Sequence, residues 1–240
     1  MAIMSSRAAP SSFGRALALL VLLWSAPAAA GEAEWKMLIE QANLHLQRGS
    51  VGQAELFARE AIAEAERSFG RSSRPLDQSI ATLGLVLRFA QRYPESEKQL
   101  RRALAMREKA LGPRAPSVGI LLNNLADVVQ AQKKYAEAEK LHRRVLTIFE
   151  KAYGDDPKTA ASLNNLGAVL QAQERYADAE PVLRRALAMK EKTLGPNNPS
   201  VAHTLSNLAQ VLDALGRKAE AEKLAARAAA IHRGAPAPTR

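Results

Sequence analysis

Apolar residues recur along the chain at the three- and four-residue spacing of amphipathic helices, with short polar turns between them. In the stretch 157–173, for example, Leu163, Leu166 and Leu170 share one helical face. A second helical stretch, richer in alanine, begins near Tyr176 after a short turn. No segment has the strict apolar–polar alternation of a half-buried strand. The pattern therefore predicts an all-α protein built from antiparallel helix pairs.

The predicted helix pair repeats with a nearly constant period. One marker is the mostly aromatic position at the start of each second helix, which steps by 42, 42, 41 and 42 residues through Val51, Tyr93, Tyr135, Tyr176 and Lys218. Another is the glycine after each second helix, which steps by 42, 42 and 41 residues through Gly70, Gly112, Gly154 and Gly195. Two markers of different chemistry give the same period, which indicates about five stacked repeats.

The residues at the predicted helix ends support this division. Asp156 and Asn198 can accept hydrogen bonds from free backbone N–H groups, and each precedes a proline, which suits the first helical position. Gly112 and Gly195 supply a left-handed residue after a second helix, and the proline that follows each of them prevents the helix from continuing.

The repeated residues carry a family resemblance, which rests on the segments Leu163-Asn164-Asn165-Leu166-Gly167, Tyr176-Ala177-Asp178-Ala179 and Arg184-Arg185-Ala186-Leu187. This pattern resembles the tetratricopeptide repeat, in the long 42-residue form that is similar to the kinesin light chain type. The resemblance implies a right-handed superhelical solenoid of antiparallel helix pairs, with about five repeats. The first repeat departs most, because Gln41 replaces the usual leucine and Val51 the usual tyrosine.

The period assigns a boundary to each segment. The solenoid is predicted to cover residues 31–233, with repeats at about 34–74, 75–115, 116–156, 157–198 and 199–233. Residues 1–30 are predicted to be a cleavable signal peptide, and residues 234–240 a disordered tail.

The first thirty residues have the order of a secretory signal. Arg7 and Arg15 are the only charges, an apolar core of nine residues runs from Ala16 to Trp24, and small residues precede Gly31. The alternative is an uncleaved membrane anchor, but that core is far shorter than the roughly 20 residues of a spanning helix. We therefore expect cleavage after Ala30 and a periplasmic or secreted mature chain, with no membrane span.

The resemblance implies that the first helices of the repeats line a concave groove, which receives an extended or helical peptide of another protein. The leucines that flank each Asn pair are expected to be buried, so the polar residues between and after them face the groove. These candidate residues are Arg88, Asn123, Asn124, Asp127, Gln130, Asn164, Asn165, Gln171, His203, Asn207 and Gln210. Further positions on the same face are Gln78, Thr82, Phe89, Ala168, Ser206 and Asp213.

The asparagines suit a peptide-binding role, because a carboxamide offers both the donors and the acceptor that a peptide backbone requires. The alternative is that they satisfy only neighbouring helices or water. The groove is expected to be mostly neutral, with Arg88 as the only cation near the asparagines, and so is not expected to clamp a terminal carboxylate.

Catalysis finds no support in the sequence. The chain has no cysteine, its four histidines show no shared spacing, and no phosphate-binding loop or metal-ligand motif is present. We therefore expect no enzymatic activity, no catalytic residue, no cofactor and no metal site.

The charge of +10 is compatible with an acidic, nucleic-acid or membrane-surface partner. The paired arginines at 101–102, 143–144 and 184–185 follow glutamates at salt-bridge spacing, and aromatic residues for base stacking are scarce. Nucleic acid is therefore not expected as a partner.

The sequence thus favours an exported scaffold that holds another protein. The alternative is an assembly protein of the cell envelope that acts through the solenoid ends and a basic outer surface. Self-association through the alanine-rich C-terminal helix is a further hypothesis, because no capping helix follows it.

Overall fold

The computed structural model describes the backbone of residues 13–234 and the side chains of residues 30–234. Residues 1–12 of the predicted signal peptide and residues 235–240 of the predicted tail lie outside the described residues. Within the described backbone the protein has ten α-helices and no strand, which confirms the all-α repeat solenoid. The helices are α1 (Phe13–Gln47), α2 (Val51–Phe69), α3 (Arg74–Phe89), α4 (Tyr93–Leu111), α5 (Pro116–Ala131), α6 (Tyr135–Tyr153), α7 (Pro157–Ala172), α8 (Tyr176–Leu194), α9 (Pro199–Ala214) and α10 (Lys218–His232).

The chain divides into two compact units, of which the first ends at Thr82. In this unit α1 packs against α2, whose buried face consists largely of small residues such as Ala54, Ala58 and Ala61. Trp35 of α1 is buried and donates from Nε1 to the hydroxyl oxygen of Ser79 at 2.8 Å. The indole thereby satisfies its one polar atom inside the core.

The second unit begins at Leu83, within α3. Here each helix from α4 to α10 contacts the next one along the chain. Leucines on the inner faces of the first helices, such as Leu122 of α5 and Leu205 of α9, are fully buried. The first helices α7 and α9 also contact each other directly.

The predicted helix caps are confirmed. The carboxylate of Asp156 accepts from the backbone N–H of Lys158 at 2.8 Å, and the amide oxygen of Asn198 accepts from that of Ser200 at 2.9 Å. Gly195 ends α8 with a φ of 85°. These local signals set where each helix begins and ends.

The turn inside each repeat also requires a positive φ, at the second residue before the second helix. Glycine occupies this position in the outer repeats, as Gly49 and Gly216. The inner repeats place Gln91, Lys133 and Glu174 there, with φ values of 58°, 62° and 59°. Side chains with a Cβ are strained in this region.

None of the helices in the described part of the chain is long and apolar enough to cross a membrane.

Candidate peptide-binding groove

The asparagines of neighbouring first helices bond to each other across the repeats of the second unit. Asn165 of α7 donates from Nδ2 to Oδ1 of Asn123 on α5 at 3.0 Å, and Asn207 of α9 donates to Oδ1 of Asn164 on α7 at 3.2 Å. In each case the second amide of one repeat donates to the first amide of the repeat before it. We call Asn123, Asn124, Asn164, Asn165 and Asn207 the amide row.

The row is half-buried, and its internal bonds use only part of its hydrogen-bonding capacity. A carboxamide has two N–H donors and two acceptor lone pairs. Each pair uses one donor and one acceptor, so donors and acceptors remain for a ligand. The two pairs therefore agree with the alternative that the asparagines satisfy neighbouring helices. A binding role for the amide row stays a prediction.

A second line of lateral contacts runs one turn further along the first helices. Arg88 of α3 forms a 3.2 Å salt bridge with Asp127 of α5, and Gln171 of α7 donates to Gln210 of α9 at 2.7 Å. Gln130 occupies the same repeat position as Arg88 and Gln171 and is half-buried, but the residue at the partner position one repeat later is Ala168, which has no polar side-chain atom. Burial raises the pKa of Asp127, and the nearby Arg88 guanidinium acts in the opposite direction.

A cavity of about 220 Å³ opens beside the amide row. Its lining residues belong to α5, α6 and α7 and are Ile120, Asn123, Asn124, Phe149, Lys158, Ala161, Ser162 and Asn165. Ile120 is 49% exposed, which is unusual for an isoleucine in a folded domain. The cavity thus combines an apolar wall with amides, the mixture that ligand pockets use for affinity and orientation.

The same cavity contains a cation, so the expectation that Arg88 is the only cation near the asparagines is wrong. Lys158 lies at the start of α7, and its Nζ is 4.4 Å from the centre of the Tyr153 ring. The sequence separation of 34 and 35 residues from Asn124 and Asn123 hid this proximity. Asn165, seven residues further along α7, shares a helical face with the lysine, whereas only the packing of α7 against α5 brings Lys158 close to Asn123 and Asn124.

A further cavity of about 340 Å³ lies near the ends of α3 and α5. It is lined by Arg88, Phe89, Gln91, Tyr93, Asp127 and Ala131. Phe89 is 57% exposed, and the Arg88 guanidinium lies 5.3 Å from the centre of its ring. This cavity joins two predicted site residues, Arg88 and Asp127, to an exposed aromatic ring.

One predicted position does not fit the expected face. Thr82 is only 7% exposed and donates to the backbone oxygen of Gln78 at 3.0 Å, so it is part of the core rather than of the open face. His203 is exposed at the position that Ile120 and Ala161 occupy in the two preceding repeats, and its ring lies 5.7 Å from that of His232 on α10. The other predicted positions of the second unit are exposed or half-buried on the first helices.

The first unit has its own cavity, of about 610 Å³, which sequence reasoning missed. It is lined by Trp35, Lys36, Ile39, Glu40, Asn43, Leu44, Gln47 and Gln78. A signal was present in the sequence, since Lys36, Glu40, Asn43 and Gln47 follow the spacing of one helical face. The atypical first repeat obscured it.

The arginines of the second helices form ion pairs, as their spacing predicts. Glu97, Glu139 and Glu180 each accept from the arginine four residues later. Glu139 also accepts from Gln173 and Arg175 of the following repeat, at 2.8 and 2.7 Å. These contacts occupy much of the arginine charge on the second helices.

The stacked helix pairs, with polar side chains aligned along the first helices, define a repeat solenoid of the class that binds other proteins. Three overlapping matches to the tetratricopeptide repeat model cover residues 77–151, 117–192 and 158–234. The chain therefore belongs to the tetratricopeptide repeat family, a family of protein–protein interaction scaffolds. No curated protein matches the sequence.

Solved structures agree with this assignment at the level of the fold. The chain is similar to a kinesin light chain with nearly identical repeats from Podosopora anserina, with a TM-score of 0.75 and 23% identity over 87% of this chain and 96% of that one. It is similar to BtubC from P. vanneervenii, with a TM-score of 0.74 and 22% identity over 90% and 95% of the two chains. It is also similar to aspartyl phosphate phosphatase F from Bacillus subtilis, with a TM-score of 0.74 and 17% identity over 90% of this chain and 55% of that one.

Proposed function

We propose that this protein is an exported, non-catalytic scaffold that holds a segment of a partner protein against the first helices. The observation that carries the proposal is the cavity at Ile120, where an exposed apolar side chain, three asparagines of the amide row and Lys158 line one space. The amides suit the partner's backbone, Ile120 suits an apolar side chain, and Lys158 suits an acidic one. The partner is thus a peptide segment or a helix with apolar and acidic residues close together.

A photo-crosslinking pair tests where the partner binds. A photoreactive amino acid at Ala161, an exposed residue that lines the cavity, should form adducts with a partner in cells that produce the protein. The same amino acid at Ala177, an exposed residue of the second helix α8, is the matched control and should give little adduct. Equal adduct yields at the two positions would contradict the groove model.

Side-chain substitutions then test the chemistry of the contact. Asn124→Ala and Ile120→Ser should each lower the Ala161 adduct yield several-fold, because each removes a proposed ligand contact. Asn124 suits this test better than Asn165 or Asn207, since those two donate to neighbouring helices and their loss would also disturb packing. Unchanged yields in both variants would contradict the proposal.

Export is proposed from residues 1–30, and it has a direct measurement. The N-terminal residue of the protein recovered from the periplasm or medium of a producing bacterium should be Gly31. Ala30→Arg should block processing, because signal peptidases require a small residue before the cut. Recovery of the protein only in the cytoplasm with its first thirty residues intact would exclude this localisation.

The second candidate is an assembly protein of the cell envelope. Its basic outer surface loses support, because arginines such as Arg143, Arg184 and Arg185 are engaged by glutamates. Its second feature, contact through the solenoid ends, is still supported by α10, which is rich in alanine and whose residues Ala225 and Ala226 are exposed. Light scattering with size exclusion separates the two candidates, since a protein that is a monomer at tens of micromolar would leave only the groove.

A further inference from the structure

The second helices of neighbouring repeats are joined by two recurring polar contacts. In the first, a glutamate four residues into one second helix accepts from the turn of the following repeat. Glu97 accepts from Gln132 at 2.7 Å and from Lys134 at 2.9 Å, and Glu139 accepts from Gln173 and Arg175 in the same way. We call this the turn contact.

In the second contact, an arginine of one second helix pairs with a glutamate near the end of the preceding second helix. The pairs are Arg144 with Glu108, Arg185 with Glu150, and Arg227 with Glu191. The arginine is always nine residues, and the glutamate fifteen residues, after the start of its helix. We call this the helix-end contact. Together the two contacts fix the register of one repeat on the next.

The last repeat presents one half of each contact with no repeat after it in the described chain. Glu222 stands four residues into α10, where Glu97, Glu139 and Glu180 form the turn contact. Arg233 stands at the helix-end position, where the preceding repeats have glutamate. Both residues are exposed, and the arginine that would pair locally with Glu222 is replaced by Ala226.

The first repeat presents the complementary halves. Arg48 lies in its turn at the position of Gln132 and Gln173, so it can donate to a glutamate placed like Glu222. Glu60 lies nine residues into α2, where later repeats have arginine, so its charge is the opposite of that of Arg233. Both residues are exposed. The helix-end contact is thus reversed in sign at both ends of the solenoid.

Two further features of the first repeat suit an incoming C-terminal end. Glu60 lines a cavity of about 230 Å³ with Glu34, Glu64 and Arg67, and because Arg67 pairs with Glu34 and Glu64, Glu60 is the lining carboxylate that faces an incoming arginine. Met37 is 52% exposed, whereas Leu121, Ser162 and Thr204, at the same position of later first helices, are at most 2% exposed. In those repeats this position is part of the buried core.

We propose that the N-terminal end of one molecule docks on the C-terminal end of a second copy, continuing the repeat register across the joint. Arg48 and Glu222 form its turn contact, and Arg233 and Glu60 form its helix-end contact with reversed sign. The two surfaces differ, so the contact is heterologous and produces an open series of oligomers. Because the joint depends on exposed charges, it weakens with salt.

Sedimentation velocity of the purified protein tests the proposal. At an ionic strength of about 0.05 M the weight-average size should rise with concentration through dimers and higher species, and at about 0.5 M it should return toward the monomer. Arg233→Glu and Glu60→Arg should each lower the association constant at least tenfold, because each places like charges together. Lys223→Glu, also a charge reversal at an exposed site of α10, is the matched control and should leave the series intact.

Mixing the two single variants is the most discriminating experiment. Each variant has like charges in a joint with itself, whereas both kinds of joint between the two variants pair opposite charges. In one kind of joint the substituted position 233 of one variant meets the substituted position 60 of the other. In the second kind the native Arg233 meets the native Glu60. The mixture should therefore regain the open series with the two variants in alternation, and the double variant Glu60→Arg, Arg233→Glu should regain it alone.

Three results would overturn the proposal. The first is a wild type that stays monomeric at tens of micromolar and low salt. The second is association that is indifferent to the charge reversals. The third is a pair of single variants that fail to recover on mixing while their helical content and melting temperature match the wild type.

Discussion

His142 occupies a core position of α6 where the neighbouring second helices have Leu100 and Leu183. It is fully buried, and neither ring nitrogen has a hydrogen-bond partner among the described residues. Burial lowers the pKa of His142 to about 4, because the charged imidazolium would lose its hydration without gaining a partner. The repeat therefore holds a titratable group in a site built for an aliphatic side chain.

This burial predicts acid sensitivity. As the pH falls below the unfolded-state pKa of about 6.5, His142 becomes protonated in the unfolded chain but stays neutral in the folded protein. The free energy of unfolding therefore decreases between about pH 6.5 and about pH 4. The full loss is about 3 kcal/mol at 1.36 kcal/mol per pKa unit. His142→Leu should remove that part of the pH dependence and be more stable at pH 5, as measured by urea unfolding at pH 7, 5 and 4. An unchanged difference between pH 7 and pH 4 in the variant would contradict this role.

Glu174 is a second residue at odds with its environment, since its φ of 59° favours glycine. Glu174→Gly should raise the free energy of unfolding by about 0.5–1 kcal/mol, because the strain of a Cβ in the left-handed region exceeds the entropy that glycine adds to the unfolded chain. Glu174→Ala keeps the Cβ and is the control, expected to change stability little. Equal effects of the two substitutions in urea unfolding would show that φ is not the cause.

At the scale of the element, the helices of a repeat approach closely where the first helix has a glycine. A Cβ added to Gly167 of α7 would lie 2.5 Å from the Leu183 side chain of α8, whereas one added to Gly52 of α2 would meet nothing within 4 Å. Gly167 thus sets the distance between α7 and α8, while Gly52 has no such constraint.

These two glycines should respond to alanine with opposite signs. Gly167→Ala should lower the free energy of unfolding by about 1–3 kcal/mol, since overpacking outweighs the gain in helix propensity. Gly52→Ala should raise it by about 0.5–1 kcal/mol, because only the propensity changes. Thermal unfolding followed by circular dichroism measures both. Stabilisation by both alanines would mean that Leu183 moves aside at little cost.

The elements were predictable because their signals are local. The caps at Asp156 and Asn198 and the glycine at Gly195 act within a few residues of their own helix ends, so the sequence contains them in full. The amide pairs and the position of Lys158 instead depend on how one first helix is rotated against the next. That rotation results from packing over a whole repeat, and no short segment encodes it. The bond from Asn165 to Asn123 is an example, since it joins the second amide of one pair to the first of another.

At the scale of the whole molecule, a solenoid is stabilised by each repeat and by the interfaces between successive repeats. Glu139 contributes both to the stability of its own repeat and to the interface with the next one. It pairs with Arg143 of its own helix, and it accepts from Gln173 and Arg175 of the next repeat. Burial opposes its ionised form, but these three partners prevail and lower its pKa. Its contribution to stability is therefore present above its ordinary pKa of 4.5 and is lost as the pH falls through the lower folded value.

Because the interface depends on this carboxylate, its removal should uncouple the repeats on either side before it unfolds either of them. In Glu139→Ala the backbone amides of α7 to α10 should exchange with deuterium faster than in the wild type at neutral pH, while those of α4 and α5 change less. Lys140→Ala is the control, since it removes the neighbouring exposed charge from the same helix and leaves the interface contacts in place. At a pH below the folded pKa of Glu139 the wild type and the Glu139→Ala variant should converge, because the protonated carboxyl no longer attracts Arg143 and Arg175. Uniform acceleration of exchange over α4 to α10 would instead show that the repeats unfold as one cooperative body, and that the glutamate stabilises the whole unit rather than one joint within it.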